Sequence, residues 1–436
     1  LDAGITWDWE SFPQYMDAAA QRKPSLNLGF LAPLTPFRHY VMGEASMERS
    51  ATAAEAGQIA SLLGEAIDAG AFGWSSTLLN QHMGFGGRPL ACRNASREEI
   101  KAYCNALRSR GKGSIEFAMT RQIAVLERAE LELLDFMLEE SRRPVTLIAL
   151  FDRDDLPEAL RTTMKNLQPM IARGARPQTS PLPLTRELVM RSPFAFAAFP
   201  SWKRLFVDTS KEAQRAVYRD PAFRHAFRND LKSPASFADW ARITVHEIKS
   251  KPHLEGKTVA EIAAERGVDG VDALLDLTLE DDLENEFTVQ SWNTRVDRMT
   301  ELLNDRSVLL GLGDGGAHLD MLCDSGYPTY VLGTWVRERK VLTLEEAVRR
   351  MTSDPADFFG IRNRGRLAPG MAADLVLFDP ATVGSDARPE RLHDLPGGGK
   401  RMVKRSRGVE MTLVNGVVTW DKGALTGASA GQVLRS

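Results

Sequence analysis

Up to residue 150 the chain alternates between short, continuous apolar runs and longer polar stretches with helical spacing. Continuous apolar runs bounded by Gly or Pro are typical of parallel strands buried on both faces. Their alternation with helices predicts βαβ units. The predicted strands are 26–32, 71–75, 114–118 and 145–150. The predicted helices are 52–69, 97–109 and 122–141, the second with a capping-box signal at Ser96 and Glu99.

Residues 176–256 interrupt this alternation. The segment is rich in Pro, Phe, Arg and Ser, shows little periodicity, and is broken repeatedly by proline. A long insertion after a strand of a barrel enzyme often forms a lid over the active site. A peripheral subdomain without a catalytic role is the other interpretation, and the sequence leaves both open.

Alternation resumes beyond residue 256 and gives way to a different pattern near the C-terminus. A buried strand at 308–312 is predicted to end in a Gly-rich turn, and the segment from residue 372 reads as a small β domain with a hairpin around Asn415-Gly416. The predicted helices are 258–266, 270–278, one ending at 303, 329–339 and 344–351. The further predicted strands are 287–290, 373–379, 411–414 and 417–420.

Composition narrows the class of protein. The 436 residues are 43% hydrophobic with a net charge of -3, which allows a large core and gives no reason to expect a nucleic-acid or anionic-membrane partner. No apolar run reaches the roughly 18 residues that a transmembrane helix needs. Three cysteines without CxxC spacing predict reduced thiols and a cytoplasmic enzyme. The start, Leu1-Asp2-Ala3-Gly4, is neither a signal peptide nor an initiator methionine, so we expect that upstream residues are missing.

Asp314 is the strongest candidate for chemistry. It follows the buried strand 308–312 within a Gly-rich turn, and active sites of parallel barrels lie at the carboxyl ends of their strands. A carboxylate there can bind a metal and relay a proton from an attacking water. A structural Asp that caps the next helix is the alternative. His318, four residues on, is expected near the same mouth, although a lone His in a turn more often has a structural role.

Two weaker candidates come from other strand ends. Glu116 interrupts an apolar strand, and a buried carboxylate is costly unless it is paired or bound to a metal; an ion pair with Arg121 is the alternative. His82 lies in the loop after the strand at 71–75. Asn293 and Arg295 follow the strand at 287–290 and are candidates for substrate binding, with a solvated helix start as the other interpretation. No HxH, HExxH, GxSxG or Walker-type motif is present.

Several of these stretches together resemble a known family. The run GLGDGGAH at 311–318 resembles the last-strand motif of amidohydrolases, and the later runs fit the same pattern. The chain thereby resembles the N-acyl-D-amino-acid deacylase (D-aminoacylase-like) branch of the amidohydrolase superfamily. The other matching stretches are 4–12, 41–44, 68–73, 342–348, 351–356, 364–376, 413–416 and 426–428.

The resemblance implies a zinc-dependent hydrolase that cleaves a linear amide bond in a small-molecule substrate. It implies an α/β fold, an (α/β)-barrel at 1–371 with the lid-like insertion at 176–256, and the C-terminal part of a small β-sandwich at 372–436. Asp314 falls on the family's catalytic Asp, with the implied roles of metal ligand and general acid/base. His82 and Glu116 look like two further metal ligands of one bacterial subgroup.

The chain also departs from the family pattern. The HxH strand and a metal-ligand Cys are expected within about a hundred residues upstream of Gly4, and neither is present. We therefore expect weak zinc binding unless a missing N-terminal segment or a second chain completes the site. A homo-oligomer is also compatible with the sequence. A cyclic-amide hydrolase and a non-catalytic barrel subunit with a degenerate metal site are the alternative functions.

Overall fold

The structure is a computed structural model, and it describes the chain in several ranges. These are residues 4–80, 82, 84, 88–121, 124–148, 150–193, 196, 199–232, 239–311, 313, 319, 323–386 and 389–436.

Helices and strands alternate through most of these ranges. The helices are α1 (Phe12–Gln21), α2 (Leu34–Met42), α3 (Ala53–Asp68), α4 (Arg97–Arg108), α5 (Arg128–Ser141), α6 (Ala159–Ile171), α7 (Lys211–Arg219), α8 (Pro221–Asp230), α9 (Val259–Arg266), α10 (Gly270–Glu280), α11 (Val296–Asn304), α12 (Tyr327–Tyr330), α13 (Leu344–Met351) and α14 (Ser353–Phe359). A π-helical segment, Val331–Glu338, follows α12. The strands are β1 (Ala32–Pro33), β2 (Gly73–Thr77), β3 (Ser114–Ala118), β4 (Val145–Ile148), β5 (Ala175–Thr179), β6 (Leu184–Val189), β7 (Ile243–Glu247), β8 (Glu286–Trp292), β9 (Leu309–Leu310), β10 (Leu375–Phe378), β11 (Gly384–Ser385), β12 (Glu390–Leu395), β13 (Gly399–Val403), β14 (Ser406–Arg407), β15 (Val409–Val414), β16 (Val417–Asp421) and β17 (Ala424–Leu425).

A six-stranded parallel sheet is formed mainly by strands from the first half of the chain. Its strand order is β1-β2-β3-β4-β5-β9, which follows the chain without reversal, and every neighbouring pair is parallel. The predicted strand 114–118 coincides with β3, and the strands predicted at 71–75 and 145–150 overlap β2 and β4. The expected βαβ alternation is therefore confirmed for this sheet.

The two faces of the parallel sheet differ in polarity. Trp74, Ile115, Val145 and Ala175 lie side by side in register and are fully buried in a core shared with α3, α4 and α5. Neighbouring residues in register point to the same face of a sheet, and the next residue along each strand points to the other. The opposite face carries polar side chains, among them Ser75, Thr77, Ser114, Glu116, Thr146 and Gln178. In the described ranges, α3, α4 and α5 pack on the apolar face, and the opposite face is polar.

Helix starts follow the sequence signals closely. Thr52 and Glu55 form a capping box at α3, and Ser96 and Glu99 form the predicted one at α4. Glu99 does more than cap its helix, because it is buried and pairs with the fully buried Arg38 of α2. A buried ion pair of this kind is strongly disrupted when one partner is removed, so it locks α2 against α4.

A separate unit follows β5. Strands β6, β8 and β7 form a three-stranded antiparallel sheet, and buried side chains from Leu188 to Val289 form a second hydrophobic core around it. Its limits differ from those of the predicted insertion at 176–256, since Ala175–Thr179 belongs to the parallel sheet and α9, α10 and β8 belong to the second core. The strand predicted at 287–290 is present as β8, but it is antiparallel and does not continue the βαβ pattern.

Arg391 joins this unit to the C-terminal part of the chain. It lies on β12, and its guanidinium makes ion pairs with Glu187 of β6 and Glu286 of β8, while Glu247 of β7 lies 3.9 Å away. Glu187 and Glu286 are buried. Burial raises the pKa of Glu286, because a carboxylate loses solvation there. The hairpin of β12 and β13 is thus fastened to the three-stranded sheet through buried charge.

The C-terminal region consists mainly of β strands. Strands β10, β15, β16 and β17 make an antiparallel sheet, and Asn415 and Gly416 adopt φ values of 52° and 82° in the turn between β15 and β16. Two positive φ values are typical of the two-residue hairpin turn that Asn-Gly favours. Asp374 accepts hydrogen bonds from the Asn415 backbone N–H (2.8 Å) and from the Asn27 amide (3.0 Å), which ties this sheet to the N-terminal segment.

Two further expectations concern the chain as a whole. All three cysteines are free thiols, and Cys92 and Cys104 are buried. Among the helices in the described ranges, none combines the length and the apolar character needed to span a membrane.

Candidate active site

Glu116 lies on the polar face of the parallel sheet. In register it stands between Ser75 of β2 and Thr146 of β4, and it is half-buried. Its neighbourhood is hydrogen-bonded: Gln178 Nε2 donates to Thr146 Oγ1 at 2.8 Å, and Thr146 Oγ1 donates to the Arg176 carbonyl at 2.8 Å. The predicted charged residue of the strand thus faces a polar surface and not the apolar core.

His82 is held against the carboxyl end of β2. Its Nδ1 lies 2.8 Å from Thr77 Oγ1, and the same hydroxyl oxygen accepts a hydrogen bond from the Leu79 N–H at 3.0 Å. Cys92 is buried on the other side of Thr77, with its Sγ 3.8 Å from the Thr77 carbonyl oxygen. The contact with Thr77 holds the Nδ1 edge of the imidazole. The ring therefore has a defined orientation at the end of the strand.

Asn293 and Arg295 lie where the loops after β4, β5 and β8 meet. Asn293 is buried, its Nδ2 donates to the Ser180 carbonyl at 2.9 Å, and its Oδ1 accepts from the Asp152 N–H at 2.8 Å. Arg295 pairs with the buried Asp152, with Nε to Oδ2 at 2.8 Å, and with Asp154. Asn293 is therefore not part of a solvated helix start, and both side chains brace the carboxyl ends of neighbouring strands.

Asp314 and His318 lie outside the residues that the structure describes. The described residues that precede Asp314 include those of β9 and Gly311. Strand β9 ends at Leu310, and Gly311 follows within 3.4 Å of Gln178 Oε1, measured from the point where a Cβ would stand. Gly311 thus lies beside the polar residue Gln178 at the end of β9.

The described side chains do not form a complete metal centre by themselves. Within those ranges no group of three His, Cys, Asp or Glu side chains converges in a way that would hold an ion. His82 and Glu116 supply an imidazole and a carboxylate, which are the kinds of ligand that zinc accepts. Both side chains are therefore of a type that binds metal ions. A complete set of ligands would need residues outside the described ranges, and Asp314 is the predicted one.

The residues after three strands also form an apolar patch that the sequence did not reveal. Leu79 comes after β2, and Ala124 comes after β3. Ile148 is the last residue of β4, and Phe151 comes after it. Trp292 is the last residue of β8. The rings of Phe151 and Trp292 lie 5.4 Å apart. The residues from β2, β3 and β4 meet because parallel strands end at one edge of the sheet, and Trp292 of the antiparallel unit packs against them.

A buried cation borders this patch. The Arg186 guanidinium lies over the Trp292 ring, 5.5 Å from its centroid, and donates to Ser291 Oγ at 3.0 Å. Burial lowers the pKa of Arg186 to about 10, so the side chain is still charged at neutral pH.

The comparison with protein families decides the class of enzyme. The model of the amidohydrolase family matches residues 3–420. The chain belongs to the amidohydrolase family. It is therefore a hydrolase of carbon–nitrogen bonds other than peptide bonds. The match spans the parallel sheet, the antiparallel unit and most of the C-terminal β domain.

Known proteins resemble this amidohydrolase along its whole length. A D-aminoacylase of Alcaligenes xylosoxydans xylosoxydans is 27% identical over 437 residues, which covers 100% of this chain and 75% of the relative. A solved D-aminoacylase with a binuclear metal centre has a TM-score of 0.62 at 23% identity, covering 98% of this chain and 75% of that one. An N-acyl-D-glutamate deacylase from Bordetella bronchiseptica, solved with zinc and a phosphonate inhibitor, has a TM-score of 0.59 at 22% identity, with the same coverage. At these identities the two solved structures show the fold, which is the mixed α/β fold of amidohydrolases.

Proposed function

We propose that this amidohydrolase cleaves a linear amide bond in an N-acylated amino acid, with N-acyl-D-amino acids as the substrate class. The observation that carries the proposal is Glu116, a carboxylate on the polar face of the parallel sheet of an amidohydrolase. The full-length similarity to a D-aminoacylase supports the choice of substrate class. The stereochemical preference rests on that similarity alone.

The parallel sheet is proposed to be the wall of an (α/β)-barrel. Two features support this: the strand order follows the chain without reversal, and among the described residues α3, α4 and α5 pack on the apolar face. A doubly wound sheet would reverse its strand order and carry helices on both faces. In the barrel, the polar face becomes the interior, and the ends of β2, β3, β4 and β9 surround the mouth.

Asp314, Glu116 and His82 are the proposed metal ligands, with zinc as the proposed ion. When bound, the ion supplies a Lewis acid and lowers the pKa of a water molecule. Asp314 is proposed to accept the proton of the attacking water and to deliver it to the leaving amine. For His82 to bind a metal through Nε2, its Nδ1 must carry the proton and donate it to Thr77 Oγ1. The observed distance of 2.8 Å between these atoms supports that arrangement.

Substrate binding is assigned to the residues around the mouth. His318, Arg295 and Asn293 are the proposed substrate-binding residues, and the braces described above support a positioning role for Arg295 and Asn293 in particular. The insertion predicted at 176–256, without the residues that belong to β5, is proposed to act as a lid within the larger antiparallel unit. The contact of Trp292 with Phe151 supports this, because it joins that unit to the loop after β4.

The proposal is tested by incubating the purified protein with zinc and with matched N-acetyl-D- and N-acetyl-L-amino acids. Released amino acid is measured by chiral chromatography. Release of free D-amino acid, with little from the L series, is the expected result. Ring opening of cyclic amides without release from the linear substrates would replace the proposal with the cyclic-amide activity. No turnover of either class, in a folded protein that takes up no zinc, would support a non-catalytic subunit with a degenerate metal site.

A further inference from the structure

A large cavity lies beside β1, the edge strand of the parallel sheet. Its volume is about 650 Å³, and its walls come from α1, α2, α3 and the segments on either side of β1. Pro33 of β1 is one of the lining residues, and it stands in register with Ser75, which stands in register with Glu116. Two strand spacings, roughly 10 Å, therefore separate this wall from the carboxylate of the proposed active site.

Aromatic rings form much of the cavity wall. The rings of Trp7 and Trp9 lie 5.5 Å apart, those of Trp9 and Tyr15 lie 5.5 Å apart, and those of Tyr15 and Phe30 lie 5.1 Å apart. The face of an aromatic ring carries partial negative charge and attracts cations. A wall of several rings is therefore a suitable surface for a positively charged group with an apolar shell.

The charged residues of the cavity have the matching sign. Glu10 and Glu65 line it, and among the described lining residues there is no Lys, Arg or His. Tyr40 Oη donates to Glu10 Oε1 at 2.8 Å, which holds this carboxylate at the rim. Carboxylates and ring faces together disfavour an anion and favour a cation.

Trp7 adds an independent observation at the rim. Its backbone φ is 52°, a left-handed conformation that is unfavourable for a residue with a Cβ, and its side chain is 58% exposed. Left-handed non-glycine residues persist where their surroundings hold them, and they cluster at ligand-binding segments. A bound apolar cation would cover the exposed ring of Trp7.

We propose that this cavity binds a small organic cation, a quaternary ammonium or alkylated amine. The cationic head would contact the rings of Trp7, Trp9 and Tyr15, and its charge would be balanced by Glu10 and Glu65. The site is separate from the proposed hydrolytic chemistry, and its occupancy can be measured without any turnover.

The experiment compares choline with its neutral carbon isostere, dimethylbutanol, by calorimetric titration of the intact chain. The two probes have the same shape, so a difference in affinity reports the positive charge. Choline is expected to bind on the order of tenfold more tightly than the isostere, and more weakly at high salt because both carboxylates are reachable by solvent. Equal affinity for the two probes, or no binding of choline at millimolar concentrations, would overturn the proposal.

Substitutions test whether choline binds in this cavity. Trp7→Leu and Glu10→Gln are expected to weaken choline binding about fivefold or more without changing the affinity for dimethylbutanol, and Trp7→Phe should restore part of the loss. Both positions are exposed, so the fold should tolerate the changes. Glu98→Gln, an exposed change on α4, is the matched control and should leave choline binding unchanged. Unaltered binding in the Trp7→Leu and Glu10→Gln variants would show that choline binds elsewhere.

Discussion

Asn293 and Asp152 are joined by two reciprocal hydrogen bonds. The Asn293 backbone N–H donates to the Asp152 carbonyl at 3.0 Å, and the Asp152 N–H donates to Asn293 Oδ1 at 2.8 Å. Both residues are buried, and the second bond spans 141 positions of sequence. The pair holds the loop after β4 against the end of β8, and so fixes two sides of the proposed mouth relative to one another.

Asn293→Gly is expected to lower the free energy of unfolding by about 2–4 kcal/mol, since the Asp152 N–H and the Ser180 carbonyl each lose a buried partner. Glycine is chosen because the φ of Asn293 is 60°, and alanine there would add roughly 1–2 kcal/mol of left-handed strain. Urea unfolding measures the change. Lys422→Gly is the control, with a φ of 45° at an exposed turn, and should cost about 1 kcal/mol or less. A raised KM with unchanged stability would instead favour direct substrate binding by Asn293.

The sequence predicted those parallel strands whose residues are mostly apolar, as expected for strands in a buried sheet. The apolar stretch at 114–118 coincides with β3, and Glu116 stood out because it interrupts that strand. Strand β5 was missed because its sequence, ARPQT, contains Arg, Gln and Pro177, and proline is normally excluded from inner strands. Strands β6 and β7 were missed because polar and charged residues interrupt their short apolar stretches, LTRELV and ITVHE.

The candidate site was less predictable than the fold. His82 could be proposed as a site residue from its position after a strand, but no local sequence pattern predicts its contact with Thr77. The apolar patch around Trp292 and Phe151 joins residues from far-separated loops. Such contacts depend on how the loops return to the sheet, and a single sequence carries no signal for that.

Thr77→Val is expected to lower kcat/KM by about 10–100-fold. Valine keeps the shape of threonine but cannot hold the His82 ring at Nδ1. Steady-state kinetics and zinc content by plasma emission measure the effect. Thr77→Ser retains the hydroxyl and should keep most of the activity. Full activity and full zinc content in the valine variant would show that His82 needs no orientation, or has no part in the site.

Asp314→Asn is expected to reduce turnover by about 10²–10⁴-fold while the protein stays folded, since the side chain can no longer accept a proton. Asp305→Asn is the matched control, because Asp305 precedes the same strand, β9, at its opposite end and keeps an oxygen that can accept from Ser307. Turnover by both variants is compared at equal protein and zinc concentration. Near-normal turnover of a well-folded Asp314→Asn variant would refute its assigned role.

The ion pairs of Arg391 with Glu187 and Glu286 should make stability depend on pH once the arginine is removed. Arg391→Met leaves two buried carboxylates without their cation, and breaking a buried pair in this way costs about 3–5 kcal/mol. The measurement is urea unfolding from about pH 5 to pH 8, where the deficit should be largest at the upper end. Arg401→Met is the control, since its pair with Asp394 on the same hairpin is solvent-exposed and is worth about 0–1 kcal/mol.

The direction of that pH dependence follows from Glu286. Burial already raises the pKa of Glu286 above its value in the unfolded chain, and loss of the Arg391 charge should raise this pKa further. A group whose pKa is higher in the folded state contributes stability that is present below the unfolded pKa and is lost as pH rises through the folded pKa. The Arg391→Met variant should therefore recover stability on acidification. Adding Glu286→Gln should remove much of this recovery, because a neutral amide does not titrate. A deficit that is the same at every pH would mean that Arg391 acts through packing and not through its charge.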